Sequence, residues 1–343
     1  MRRFILLAIL FIILAALFFT VNNKKKETII NPLAKLIEKP LDKYTFENLK
    51  KKKFGASTIT LGKVLKDEKD FTSFMFYFYD PSVGSGQAKK VSGLMNLPKK
   101  EGNYPVIVMF RGFVPKGKFT TGEGTRASGE YLVQNGFITI APDFLGFGKS
   151  ASPSANSIEE RFQTYTTAST LLASVKNLNS ALEEKNINNI TADDNKIGIW
   201  GHSNGGHISL STLAITGKNY PTVLWAPVGK AFPYSILYFT DEYADNGKAL
   251  RKVVADFERD YDIEKYSPTN FYNWINAPIQ LHQGTNDEAV PLKWSDTLYN
   301  SLKKIDKDIT YFTYPNENHN FNNGGWITAI QRSVQFYKSS FNN

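Results

Sequence analysis

Apolar and polar residues alternate with a period of two over residues 58–61, 71–79 and 91–98, which predicts antiparallel strands with a turn at 80–86. The pattern then changes. Residues 104–110 are a continuous apolar run, the signature of a central strand buried on both faces. Blocks of helix and strand follow. The spacing predicts a helix over 124–135, a strand over 137–141, one long helix over 158–184, a strand over 195–200 and a strand over 222–226. After an interruption at 227–276 come a strand over 277–282, a helix near 293–304, a strand over 308–314 and an amphipathic helix over 326–337. Strands joined by helices through right-handed crossovers predict an α/β fold, a mostly parallel sheet covered on both faces. The interruption, aromatic in its first half and charged in its second, predicts a small cap inserted near one edge of the site. Its aromatic residues either pack onto the body or line a pocket.

The N-terminus follows a different pattern. Residues 4–21 carry no charge, lie between Arg2-Arg3 and Lys24-Lys25-Lys26, and as a helix span about 27 Å, close to the thickness of a bilayer's hydrocarbon. A cleaved signal peptide is the competing reading, but the run ends in Leu17-Phe18-Phe19-Thr20-Val21, too bulky for an easy cut. Three segments are therefore expected: a transmembrane anchor at 1–22, a basic linker at 23–53 and a catalytic domain at 54–343. The expected topology is single-pass, with the domain outside the cytoplasm.

Composition narrows the function. The net charge of +9 suggests a nucleic-acid partner until it is located: residues 1–53 hold 12 Lys/Arg against 4 Asp/Glu, and the rest is nearly balanced at 29 against 28. The basic charge belongs to the tail, where a membrane can use it, and no nucleic-acid face is expected on the domain. The absence of cysteine excludes disulfides, thiolate metal sites and a cysteine nucleophile.

The chemistry centres on Gly201-His202-Ser203-Asn204-Gly205, set between a strand and a helix-compatible run at 208–215. In that context a Gly-x-Ser-x-Gly reads as a nucleophile elbow, with Ser203 at the turn and glycines where a Cβ would collide with the neighbouring strand or helix. A serine needs a histidine base, and a carboxylate behind that histidine. Of four histidines, His202 flanks the serine with its ring expected to point away, His207 falls on the following helix and His282 lies in a strand. His319, in the loop after the last strand, remains as the base. The acid is expected between them, after the strand ending at 282, where Asp287 stands in the turn 284–291 and Glu288 is expected to point elsewhere. Two backbone N–H groups should meet the oxyanion: that of Asn204, and that of Phe113 in the loop 111–117. The Gly-rich loop 143–150 reads either as a wall of the site's mouth or as a simple connection.

Segments 91–98, 104–108, 143–150, 194–203, 266–268 and 284–291, taken in order, resemble the catalytic domain of the prolyl oligopeptidase family of α/β-hydrolases over residues 90–340. The resemblance implies a serine hydrolase acting on peptides or, in single-domain relatives, on esters, without metal or organic cofactor. Three departures stand out. Arg111 replaces the histidine usual before the oxyanion glycine, Asn204 replaces the tyrosine often found after the nucleophile, and residues 54–100 are too few for a β-propeller. The expectation is a membrane-anchored serine peptidase using Ser203, His319 and Asp287 on short peptides or aminoacyl amides. A carboxylesterase is the alternative, and a catalytically inactive binding protein is disfavoured by the intact serine, histidine and acid.

Overall fold

Nine strands form one sheet: β1 (Thr60–Asp67), β2 (Phe71–Asp80), β3 (Lys89–Pro98), β4 (Gly102–Phe110), β5 (Ile138–Pro142), β6 (Ile190–His202), β7 (Thr222–Trp225), β8 (Ile279–Gly284) and β9 (Ile309–Tyr314). Their spatial order is β1-β2-β3-β5-β4-β6-β7-β8-β9. The pairs from β1 to β5 are antiparallel, and every pair from β5 through β4 to β9 is parallel, as the two sequence patterns predicted. The computed structural model describes residues 39–81 and 87–342. The expected anchor at 1–22 lies outside them, and among the described residues no helix is long and apolar enough to cross a membrane.

The helices, in chain order, are α1 (Phe46–Lys51), α2 (Arg126–Gln134), α3 (Ser157–Ser174), α4 (Leu178–Glu184), α5 (Asn204–Thr216), α6 (Tyr234–Leu237), α7 (Lys248–Asp260), α8 (Leu292–Lys303) and α9 (Trp326–Asn342). They explain why the second half of β4, residues 106–110, is apolar at every position. Val106, Val108 and Phe110 face the larger core with Phe162 and Leu210, while Ile107 and Met109 face a second core with Leu132, Ile330 and Val334. Side chains alternate across a strand, so a sheet with helices on both faces needs apolar residues at every position.

Three expectations need correction. The helix predicted over 158–184 is two helices, α3 and α4, joined by a 3-10 turn at Val175–Asn177. The strand expected over 195–200 begins at Ile190 and shifts register against β4 between Pro105 and Val106. The basic linker expected over 23–53 is not a tether from Leu41 onward. Leu41, Tyr44, Phe46 and Leu49 are buried in the main core, and Phe46 stacks on Phe271 with ring centroids 4.9 Å apart. The Thr45 hydroxyl accepts from the Asn48 N–H and caps α1, while Lys50 and Lys51 close its last turn.

The insertion at 227–276 divides its aromatic residues. Phe232 and Phe257 pack edge-on or tilted against Phe162, at 5.4 and 6.0 Å, while Tyr234, Tyr238 and Tyr243 remain exposed.

Candidate active site

Chain order reverses between β4 and β6: from β4 the chain moves outward to β5 on one side, then returns to β6 on the other. Such a switch point opens a crevice at the carboxyl ends of the strands, where ligands of open α/β sheets bind. The register pairs Phe110 with Gly201 and thereby brings the loop after β4 beside the turn after β6.

Ser203 occupies that turn with φ +55° and ψ −120°, a conformation a non-glycine residue adopts only when its surroundings impose it. The surroundings are specific. Its N–H donates to the Trp225 carbonyl at 2.9 Å, and its own carbonyl accepts from Gly206 and Val228 at 3.0 Å each. A Cβ on Gly201 would lie 2.7 Å from the Gly205 oxygen, and one on Gly205 would run into the Phe110 carbonyl. The close approach of α5 to β4 and β6 therefore requires both glycines. Gly112 is equally confined, since a Cβ there would stand 3.0 Å from that of Ser203.

Asp287 and His319 come from the loops after β8 and β9. The His319 Nδ1–H donates to Asp287 Oδ2 at 2.9 Å, which leaves the Nε2 lone pair free to take a proton. Asp287 is fully covered and also accepts from the N–H groups of Ala289 (2.9 Å) and Val290 (2.7 Å) and from the Gln283 amide (2.7 Å). Burial pushes its carboxyl up, but the bonds from His319 and these backbone groups outweigh that and hold it below the usual carboxylate range. The His319 ring lies 4.6 Å from that of His202, the residue before Ser203. A cavity of about 430 Å³ adjoins the elbow, and Asn204 and Phe113, the two expected oxyanion donors, both line it. Among the described residues no cluster of His, Asp and Glu could hold a metal ion.

The sequence model of the prolyl oligopeptidase family matches residues 126–343, well over half of the chain. The chain belongs to the prolyl oligopeptidase family. Membership makes it a serine hydrolase, either a peptidase or a carboxylesterase. Among solved structures, acetyl xylan esterase 1 from Thermoanaerobacterium sp. JW/SL YS485 is 17% identical with a TM-score of 0.56, over 89% of this chain and 99% of that one. A puromycin-hydrolyzing peptidase of Mycobacterium tuberculosis is 16% identical at a TM-score of 0.52, over 78% of this chain and 45% of that one. Dipeptidyl peptidase 4 of Porphyromonas gingivalis is 15% identical at a TM-score of 0.52, over 85% and 37%. At such identities the likeness establishes the α/β-hydrolase fold. No curated protein matches the chain by sequence.

Four residues of this prolyl oligopeptidase-family chain reach the site in ways its sequence did not announce. His202, expected to point away, donates from Nε2 to the His319 carbonyl at 3.0 Å. Glu288, expected to point elsewhere, accepts from the His319 N–H at 3.2 Å. Glu317 is buried and accepts from the N–H groups of Asn323 (2.9 Å) and Gly325 (2.6 Å), closing the loop that carries His319. Arg111, where the family has histidine, donates to the carbonyls of Gly112 (2.9 Å) and Asp143 (3.2 Å), and its guanidinium lies 4.7 Å from the Phe119 ring and 4.1 Å from that of Phe147. Burial draws Arg111 down to about 10 against the opposing pull of Asp143, whose own carboxyl is raised by burial. Arg111 thus ties the Gly112–Phe113 backbone to the 143–150 loop, which forms a wall of the cavity through Phe144, Leu145 and Phe147.

Three buried histidines make the fold sensitive to acid. Burial is the main cause that lowers His202 to about 4 and His207 and His282 to about 3. His207 donates to the Val228 carbonyl and accepts from Tyr165; His282 donates to Gln280 and accepts from Tyr314. In the unfolded chain each titrates near its ordinary value of 6.5, so between that pH and the depressed values the unfolded state holds more protons. Their contribution to stability is therefore fully present above about pH 6.5 and is lost as pH drops toward 3–4. Near pH 5 unfolding should take up about three protons from these groups, read as the slope of log K for urea unfolding against pH. A slope smaller than one in magnitude would mean that they are protonated in the folded protein.

Proposed function

We propose that this hydrolase is a membrane-anchored serine peptidase that cuts short peptides or aminoacyl amides, with Ser203 as nucleophile, His319 as general base and Asp287 holding the imidazole. The observation that carries this reading is the bond from His319 Nδ1 to the covered Asp287, which fixes the tautomer and turns Nε2 into an acceptor. Ser203 Oγ attacks the scissile carbonyl as its proton passes to Nε2, and the oxyanion is met by the N–H groups of Asn204 and Phe113. The leaving amine takes the proton from His319. Water, deprotonated by the same nitrogen, then releases the acyl group from Ser203.

A carboxylesterase is the second reading, favoured by the coverage of 99% of an acetyl xylan esterase, against 37% of a dipeptidyl peptidase. Esters with good leaving groups need little general-acid help, so activated short-chain esters should be hydrolysed under either reading. Matched ester and amide substrates sharing one acyl group separate the two. The peptidase reading expects measurable amide kcat/KM. Ester turnover with no amide turnover across a varied peptide panel would make the enzyme an esterase.

The anchor reading rests on the uncharged run at 4–21. Full-length protein should sediment with membranes and resist extraction in high salt, and a chain beginning at Lys39 should be soluble and folded. A chain beginning at Phe54 loses Leu41, Tyr44, Phe46 and Leu49 from the core, at a cost on the order of 5 kcal/mol or more, and its unfolding midpoint should fall accordingly. A mature protein starting near Asn22 would refute the anchor.

A further inference from the structure

The cavity beside the elbow has a charge that nothing in the described protein balances. Lys116 on its wall is paired with Glu160 at 2.9 Å. Arg111 interacts with Asp143 and rests between aromatic rings. Arg161, the third cation of the lining, has no carboxylate within ion-pair distance among the described residues. Glu159, two positions before it on α3, is held by Lys43 at 2.8 Å and by the Tyr44 hydroxyl at 3.0 Å. The partners of Arg161 are neutral hydroxyls, that of Ser235 at a long 3.4 Å and that of Tyr165, and its Nε is buried without a partner. A half-buried guanidinium without a counter-ion is costly to keep.

We propose that this cavity is a subsite for a carboxylate-bearing part of the substrate, with Arg161 as the cationic contact. The proposal rests on the reading of Ser203 as nucleophile and specifies what that nucleophile is offered. A single uncompensated guanidinium matches a single negative charge, and its planar fork suits a carboxylate. Phe113, Phe144, Phe147 and Ile208 supply apolar walls for the chain between that carboxylate and the scissile carbonyl. The volume of about 430 Å³ suits a short acyl group or a terminal residue rather than a long polymer. The carboxylate belongs either to a dicarboxylic acyl group or to the free C-terminus of a short peptide.

Two matched pairs distinguish the sources: 4-nitrophenyl butyrate against the mono-4-nitrophenyl ester of glutaric acid, and short peptides with free against amidated C-termini. The ratio of kcat/KM for charged over neutral substrate is read within each variant, so that a general loss of activity cancels. In one arm the wild type should favour the charged member, and Arg161→Gln should lower that ratio by about 10- to 100-fold, with partial retention in Arg161→Lys. Equal ratios in wild type and Arg161→Gln in both arms would overturn the proposal. Binding of monomethyl glutarate and of an N-acetyl dipeptide to the Ser203→Ala protein, measured by calorimetry, gives a readout without hydrolysis. Binding of either that disappears with Arg161→Gln supports the subsite, and binding of neither, or binding that ignores Arg161, overturns it. If no ester or peptide is turned over at all, the reading of Ser203 fails and calorimetry still decides the subsite.

Discussion

Ser203→Ala and His319→Ala should each reduce kcat by about a million-fold and abolish labelling by a fluorophosphonate, because the proposed nucleophile and base act as one unit and neither retains partial function alone. The structure makes the two substitutions clean tests. Ser203 is held by its backbone, through bonds to Trp225, Gly206 and Val228, so removal of Oγ leaves the elbow in place. His319 is held at its N–H by Glu288 and at its carbonyl by His202, so alanine removes the imidazole without releasing the loop. Unfolding midpoints near that of the wild type should accompany the loss of activity. Labelling that persists in Ser203→Ala would send the assignment to another serine.

Asp287→Asn should reduce kcat by about ten-thousand-fold, the loss expected when the imidazole is held in the wrong tautomer. Here the effect is compounded. The two carboxylate oxygens face four donors, from His319, Gln283, Ala289 and Val290, and each oxygen accepts two of them. An amide nitrogen in either position opposes donor to donor, and so either His319 loses its partner or the turn 287–290 loses its own. kcat/KM and the unfolding midpoint, measured together, separate these outcomes. An Asp287→Asn enzyme with activity within tenfold of wild type would remove Asp287 from the site.

The fold and the candidate site were legible in the sequence to different depths. The central strands could be read because helices cover both faces, which forces runs such as Val106-Ile107-Val108-Met109-Phe110. Ser203 was marked by two glycines whose positions tolerate no Cβ, and His319 by elimination among four histidines. Residues 41–49 were misread because their lysines and acids mask a buried spacing of three, two and three residues at Leu41, Tyr44, Phe46 and Leu49. The neighbours of His319 were hidden for a different reason. Period-two alternation turns His202 away from Ser203, but it says nothing about a loop 117 residues later that folds back against that ring. Arg111 appeared only as a departure from a family pattern. Its place between Phe119 and Phe147 depends on two separate loops, which no local pattern encodes.

Glu317 has one more consequence. In many small extracellular domains a loop bearing a key residue is fixed by a covalent cross-link, which this cysteine-free chain cannot form. Here a buried carboxylate ties residue 317 to the amides of 323 and 325 and encloses His319 in a closed ring of chain. Such a clasp has no reduction potential. It forms as the chain folds, needs no oxidant or isomerase, and holds the His319 loop equally in a reducing or an oxidising compartment, so the shape of the candidate site does not depend on which of the two surrounds it.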